Sequence, residues 1–142
     1  MKLALLIANR GFFPSTVISS AREEMTAALK RAGAEPMYPN LSATRYGAVE
    51  TTAEGMVFAD FLADHRGEYD GLVICLPNFG DENGIKAAIA DCDVPILLQA
   101  YPDRLDEMDF EHRRDAFCGK MALTSVLTQM KKPYTSVRPA VV

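Results

Sequence analysis

Apolar positions along the chain follow two rhythms in alternation. Leu3 to Ala8 is a continuous apolar run, closed by Asn9-Arg10-Gly11. Runs of this kind are expected of strands covered on both faces. Pro14-Ser15 then offers a helix start with Ser15 as N-cap. Val17, Ala21, Met25, Ala28, Leu29 and Ala32 follow at helical spacing. Lys30 and Arg31 suit the last turn of that helix, and Gly33 suits a left-handed C-cap. Glu35 to Tyr38 reads as a short second strand, and Pro39 to Glu50 as a loop.

The alternation then repeats. Thr51-x-x-Glu54 is a capping box ahead of a helix with one face marked by Val57, Phe58, Phe61, Leu62 and His65. Asp70-Gly71 is a turn, and Leu72 to Leu76 is a buried strand closed by Pro77. Asp81 caps a third helix whose stripe is Ile85, Ala88, Ile89 and Cys92. Val94 to Ala100 makes a fourth strand, with Pro95 tolerated near its beginning. Tyr101 to Asp109 is a polar loop. The last helix carries Leu123, Val126, Leu127 and Met130; it starts at Asp109 or nearer Asp115, and Pro133 ends it. Tyr134 to Val137 follows as a fifth strand. This order predicts a doubly wound α/β fold over residues 1–142, in one domain. The sheet is parallel, five-stranded and flavodoxin-like, ordered 2-1-3-4-5 in an α/β/α three-layer arrangement.

Length and composition agree with one self-sufficient core: 142 residues, 49% hydrophobic and 24% charged. A net charge of −4 gives no long-range attraction to phosphate backbones or anionic lipids, so neither nucleic acid nor membrane is expected as a partner. The N-terminal apolar run lacks a cleavage site and reads as a strand, and no segment approaches spanning length. Cys75, Cys92 and Cys118 form no CxxC pair, and His65 and His112 are the only histidines. A zinc site or disulfide scaffold is therefore not expected, and a reducing cytoplasm is.

In an open α/β sheet, ligands bind beyond the carboxyl ends of the strands where the strand order reverses. Here that crevice lies between Asn9-Arg10-Gly11-Phe12-Phe13-Pro14-Ser15 and Leu76-Pro77-Asn78-Phe79-Gly80-Asp81. Neither loop carries a dinucleotide fingerprint, a P-loop, a receiver-type acidic cluster or a cobalamin motif. Arg10 suits an anion or a sugar hydroxyl, or it bridges to a carboxylate such as Asp81. Asn78 offers donor and acceptor to a polyol. Phe12, Phe13 and Phe79 either cover the apolar face of a sugar ring or cap the core, and Asp81 serves as a helix cap. A third rim segment, Gln99-Ala100-Tyr101-Pro102-Asp103-Arg104 leading to Arg113-Arg114-Asp115-Ala116-Phe117-Cys118-Gly119-Lys120, reads as a basic clamp or as a solvated helix start with local Arg–Asp pairs. The acidic stretch from Asp103 to Glu111 lacks a metal-loop signature and reads as exposed.

Three segments in this order and spacing resemble the N-terminal domain of the L-fucose/L-arabinose isomerase family. They are Asn9-Arg10-Gly11-Phe12-Phe13-Pro14, Leu76-Pro77-Asn78-Phe79-Gly80-Asp81-Glu82 and Arg113-Arg114-Asp115-Ala116-Phe117-Cys118-Gly119-Lys120. The resemblance implies an intramolecular oxidoreductase that interconverts aldoses and ketoses with a divalent metal, commonly manganese. It implies that the metal ligands and acid/base groups lie in later domains, so that this chain binds no cofactor, holds no catalytic residue and is inactive alone. It further implies a homo-oligomer in which the first loop reaches a sugar at a subunit interface. Arg10, Phe13, Asn78, Phe79 and Asp81 are the substrate-binding candidates. The chain is then a truncated or N-terminal part of such an isomerase, or a stand-alone domain that binds a sugar or an anion.

Overall fold

The structure is a computed structural model that describes residues 1–136. Its elements run β1 (Lys2–Ile7), α1 (Val17–Arg31), β2 (Glu35–Met37), a 3-10 turn (Arg45–Gly47), α2 (Thr52–Asp64), β3 (Gly71–Leu76), α3 (Glu82–Ala88), β4 (Ile96–Ala100), α4 (Ala116–Gln129) and β5 (Tyr134–Ser136). The five strands are parallel in the order β2-β1-β3-β4-β5, as the alternation predicts. The three-layer α/β/α architecture is that of flavodoxin-like folds. Val137, the last residue of the expected fifth strand, lies outside the described residues.

The pleat divides the strand residues between two cores. Ala4, Leu6 and Ala8 of the first strand run, with Leu72, Ile74, Leu76, Ile96, Leu98 and Ala100, pack against Phe58 and Leu62 of α2, Ile85 and Ala88 of α3, and Leu123 and Leu127 of α4. The opposite face presents Leu5, Ile7, Val73 and Cys75 to Ile18 and Leu29 of α1, with Leu97 and Tyr101 only partly buried. Three helices therefore cover one face. Among the described residues, α1 alone covers the other.

Local signals set most element boundaries. Thr51 and Glu54 form the complete capping box on α2: the Glu54 amide donates to Thr51 Oγ1 (3.2 Å), and the Thr51 amide donates to Glu54 Oε2 (3.1 Å). Gly33 adopts φ +79° and closes α1, its amide donating to the Lys30 carbonyl and that of Ala34 to the Leu29 carbonyl. This pair of bonds satisfies carbonyls that a helix end otherwise leaves open.

Two expectations are corrected and one alternative is decided. Ser15 does not cap α1: Thr16 holds the N-cap position in helical conformation, and no side chain bonds there. The third helix stops at Ala88, so Cys92 is buried from the turn that follows it. The last helix takes the later of its two starts, at Ala116, but Asp115 (φ +47°) does not cap it through its side chain. No helix among the described residues is long and apolar enough to cross a membrane.

The unequal cover of the sheet has a measurable consequence. Leu98 is fully buried beneath three helices, whereas its neighbour Leu97 faces the side that α1 covers only in part. Leu98→Ala is expected to cost about 3 kcal/mol in urea denaturation, and Leu97→Ala less than about half of that.

Candidate functional site

The crevice at the reversal of strand order is assembled around one buried amide. Asn78 is wholly inaccessible to solvent. Its Nδ2 donates to Asn9 Oδ1 (2.6 Å) and to the Pro14 carbonyl (3.3 Å). Its Oδ1 accepts from the Arg10 amide (3.2 Å) and the Gly80 amide (3.2 Å). An asparagine amide has two donors and two acceptor lone pairs, so every one is occupied by protein. Asn78 therefore builds the crevice by tying the loop after β1 to the loop after β3, and has no group left over to offer a ligand.

A second asparagine extends this network. Asn9, also buried, donates from Nδ2 to Glu50 Oε2 at 2.7 Å. Glu50 is placed by the segment ahead of α2, where Val49 bridges to Ala8 and accepts from the Asn9 amide through its carbonyl. That segment is held from below by Arg22 of α1. The Arg22 guanidinium donates to the Tyr46 carbonyl and, at 3.1 Å, to the Gly47 carbonyl. Both of these residues have positive φ, 58° and 61°. Burial lowers the pKa of Arg22 from its ordinary value.

Aromatic rings supply the apolar part of the crevice. Phe13 is 8% exposed and stacks on Phe79 with centroids 5.8 Å apart; Phe12, 60% exposed, lies 4.9 Å from Phe13. The Arg10 guanidinium sits over Phe79 at 4.8 Å and over Phe12 at 5.6 Å, and Arg113 sits over Phe13 at 5.6 Å. Phe79 is itself fixed by α4: a Cβ on Gly119 would overlap the Phe79 carbonyl, so only glycine allows this approach.

The ions around these rings are paired. Arg10 Nη1 bonds Glu82 Oε2 at 2.6 Å, so its carboxylate partner is Glu82. Asp81 instead caps α3, its Oδ1 accepting from the Gly84 amide at 2.8 Å. Arg113 pairs with Asp115 at 3.4 Å. Arg114 donates to the Pro77 carbonyl at 3.1 Å and lies over Tyr101, while its amide donates to Asp103 Oδ1 at 2.6 Å. The third rim segment thus provides both the local Arg–Asp pair and two arginines at the crevice. Four arginines, Arg10, Arg45, Arg113 and Arg114, face four carboxylates, Glu50, Glu82, Asp103 and Asp115. The crevice is not an electropositive funnel for anions.

Of the five candidates, Arg10, Phe13 and Phe79 come together, Asn78 lies behind them as their support, and Asp81 is engaged at the start of α3. Asn9, Glu50 and Glu82 were not among the candidates. Glu82 was detectable as the carboxylate next to the helix cap, and Asn9 as a polar residue ending an apolar strand. A hollow of about 440 Å³ lies between Gly11–Thr16 and Phe110–His112 beside these rings. Manganese does not fit the residues present: among those described, no three His, Cys, Asp or Glu side chains come together. His112 Nδ1 and Asp109 Oδ1 lie 2.7 Å apart on the exposed rim, a pair and not a cage.

A doubly wound α/β domain with an aromatic, ion-ringed crevice at its switch point is the class that this fold and geometry define. Over residues 4–142 the chain matches the fucose/sulfoquinovose isomerase N-terminal domain family, and it belongs to that family. No curated protein matches the chain. The resemblance read from the loops therefore holds for the fucose isomerase N-terminal domain.

Two outcomes follow from this geometry. Asn78→Ala leaves the Arg10 and Gly80 amides without their acceptor and Asn9 without its donor. A loss of about 2–4 kcal/mol in urea denaturation is expected. The hydrogen bond between Asp109 and His112 raises the His112 pKa and lowers that of Asp109. The charged pair is lost as pH falls through the lowered Asp109 pKa, and again as pH rises through the raised His112 pKa. An NMR titration is expected to place His112 above about 6.5 and Asp109→Asn to bring it back down.

Proposed function

We propose that this chain is the substrate-recognition and assembly domain of an aldose–ketose isomerase of the fucose type, with the metal and the acid/base groups supplied from outside it. Family membership supports the class. The observation that carries the recognition role is the Phe13–Phe79 stack flanked by the Arg10–Glu82 pair at the strand-order reversal. Stacked rings suit the apolar C–H face of a sugar, and a paired arginine and carboxylate suit its hydroxyls with donors and acceptors side by side.

Isomerisation requires a base to move a proton between adjacent carbons and an acid or metal to polarise the carbonyl. The polar groups of this crevice are instead committed to one another: Asn78 to four partners, Glu50 to Asn9, Arg10 to Glu82. Such commitments fix geometry and leave proton transfer to groups on other segments. Phe12 and Phe110 stay exposed on the rim, where a neighbouring subunit carrying those groups would cover them.

The charge inventory favours a neutral 6-deoxy sugar such as fucose over a sulfonated one such as sulfoquinovose. A sulfonate would bring a fixed negative charge to a crevice in which carboxylates already match the arginines in number. Because the stack and its ion pair lie within one chain, binding is measurable on this chain alone.

Titration calorimetry is expected to show heat of binding for L-fucose and a weaker response to sulfoquinovose. Arg10→Ala is expected to weaken fucose binding about tenfold or more, through loss of a charge-assisted contact. No heat from the wild-type chain with either sugar would sink the recognition role.

A further inference from the structure

Glu50 commits only one of its two carboxylate oxygens to the framework. Oε2 accepts from Asn9 Nδ2 at 2.7 Å. Oε1 has Arg45 Nη1 as its partner at 3.6 Å, beyond hydrogen-bond length, and the Arg45 side chain is 64% exposed. The Glu50 side chain itself is only 11% exposed. A largely buried carboxylate therefore has one oxygen fixed by the protein and the other held loosely by a solvated arm.

The chain places this carboxylate with care. Val49, just before it, bridges to Ala8 beyond the end of β1. The Glu50 amide donates to Glu54 Oε2 at 2.9 Å, inside the capping box of α2. Arg22 holds the preceding turn by its carbonyls. The loop after β1 makes room for the carboxylate at Gly11, where a Cβ would lie 2.8 Å from Glu50 Oε1. Gly11 does not have positive φ, so its backbone conformation does not call for glycine. The approach of Oε1 does. Gly11 also lines the hollow of about 440 Å³ beside Phe12 and Phe13, and its neighbour Arg10 lies over Phe79.

We propose that Glu50 is a specificity-determining residue of the crevice, its Oε1 accepting a hydrogen bond from one hydroxyl of a neutral sugar beside Gly11. The proposal rests on the sugar-recognition reading above and names an acceptor within it. Every sugar hydroxyl is a donor, and an ionised oxygen accepts it more strongly than a neutral one. The stacked rings take the apolar face of the sugar and Glu50 reads its edge. A sugar without that hydroxyl leaves Oε1 covered and unpaired, which is how a polar site rejects an analogue.

Titration calorimetry with L-fucose, and with analogues each lacking one further hydroxyl, tests this on wild type, Glu50→Gln and Gly11→Ala. Glutamine keeps an oxygen for Asn9 and turns the other acceptor into a donor, so the melting temperature should stay near that of wild type. Gly11→Ala keeps the carboxylate and sets a methyl group against Oε1. Each variant is expected to weaken fucose binding about tenfold. The analogue lacking the hydroxyl that Glu50 reads should bind wild type about tenfold more weakly than fucose and lose nothing further in Glu50→Gln. A purely structural role would weaken every analogue alike in the variant. Equal fucose binding by wild type and Glu50→Gln, or the same further loss for every analogue, overturns the role of Glu50 and leaves the recognition reading standing. Should Glu50→Gln fail to fold, Gly11→Ala decides by the same comparison. Absence of heat from wild type with fucose sinks the recognition reading itself, and the role of Glu50 with it.

Discussion

The buried amide of Asn78 is the constraint on which the crevice depends. It is out of water and therefore needs partners, and the two loops it joins supply four. An unsatisfied buried donor or acceptor costs about 1–3 kcal/mol, so the loops are held in the one arrangement that satisfies all of them. Asn9 carries the same logic onward to Glu50. Arg22 holds the loop that delivers Glu50, by binding carbonyls of two consecutive left-handed residues. Three segments far apart in sequence are thereby fixed by polar groups that are wholly or largely buried.

What this framework holds in place is apolar and charged in alternation. Phe13 and Phe79 stack, Arg10 and Arg113 lie against their faces, and carboxylates from α3 and the rim neutralise the arginines. Guanidinium over an aromatic face is favourable where solvent is partly excluded, and a paired carboxylate limits the cost of that burial. The arrangement is hydrogen-bonded and ion-paired within the chain itself. That suits recognition, in which preorganised groups lose little freedom on binding.

Most of the fold was legible because its signals are local. Continuous apolar strands such as Leu72 to Leu76, the Thr51–Glu54 capping box and the glycine after α1 each act within a few residues. Strand order then follows from the handedness of parallel crossovers. Asp81 caps α3, as its place before the helix predicts, and Arg10 finds its carboxylate in the next residue, Glu82. Asp115 stands at the start of α4 in left-handed conformation and pairs with Arg113 two residues back, so its side chain does not cap the helix. Longer-range contacts are what the sequence pattern does not contain. Arg22 occupies an otherwise apolar stripe with Ile18, Met25 and Leu29. That was a visible sign of a buried charge, but its partners in the 3-10 turn lie 24 and 25 residues away. Asn78 was legible as a polar residue at the right place. That its amide faces inward is a consequence of packing.

The central claim is that these buried amides preform a sugar-binding crevice on this chain. Its most direct test is a two-dimensional NMR titration with L-fucose, following the backbone amides and the ring protons of Phe12, Phe13 and Phe79. The account predicts shift changes confined to residues 10–16, 50, 78–82 and 110–115, with the buried Asn78 side-chain amide protons slow to exchange before and after sugar is added. Shift changes centred elsewhere, or rapid exchange of the Asn78 amide in the free chain, would contradict it.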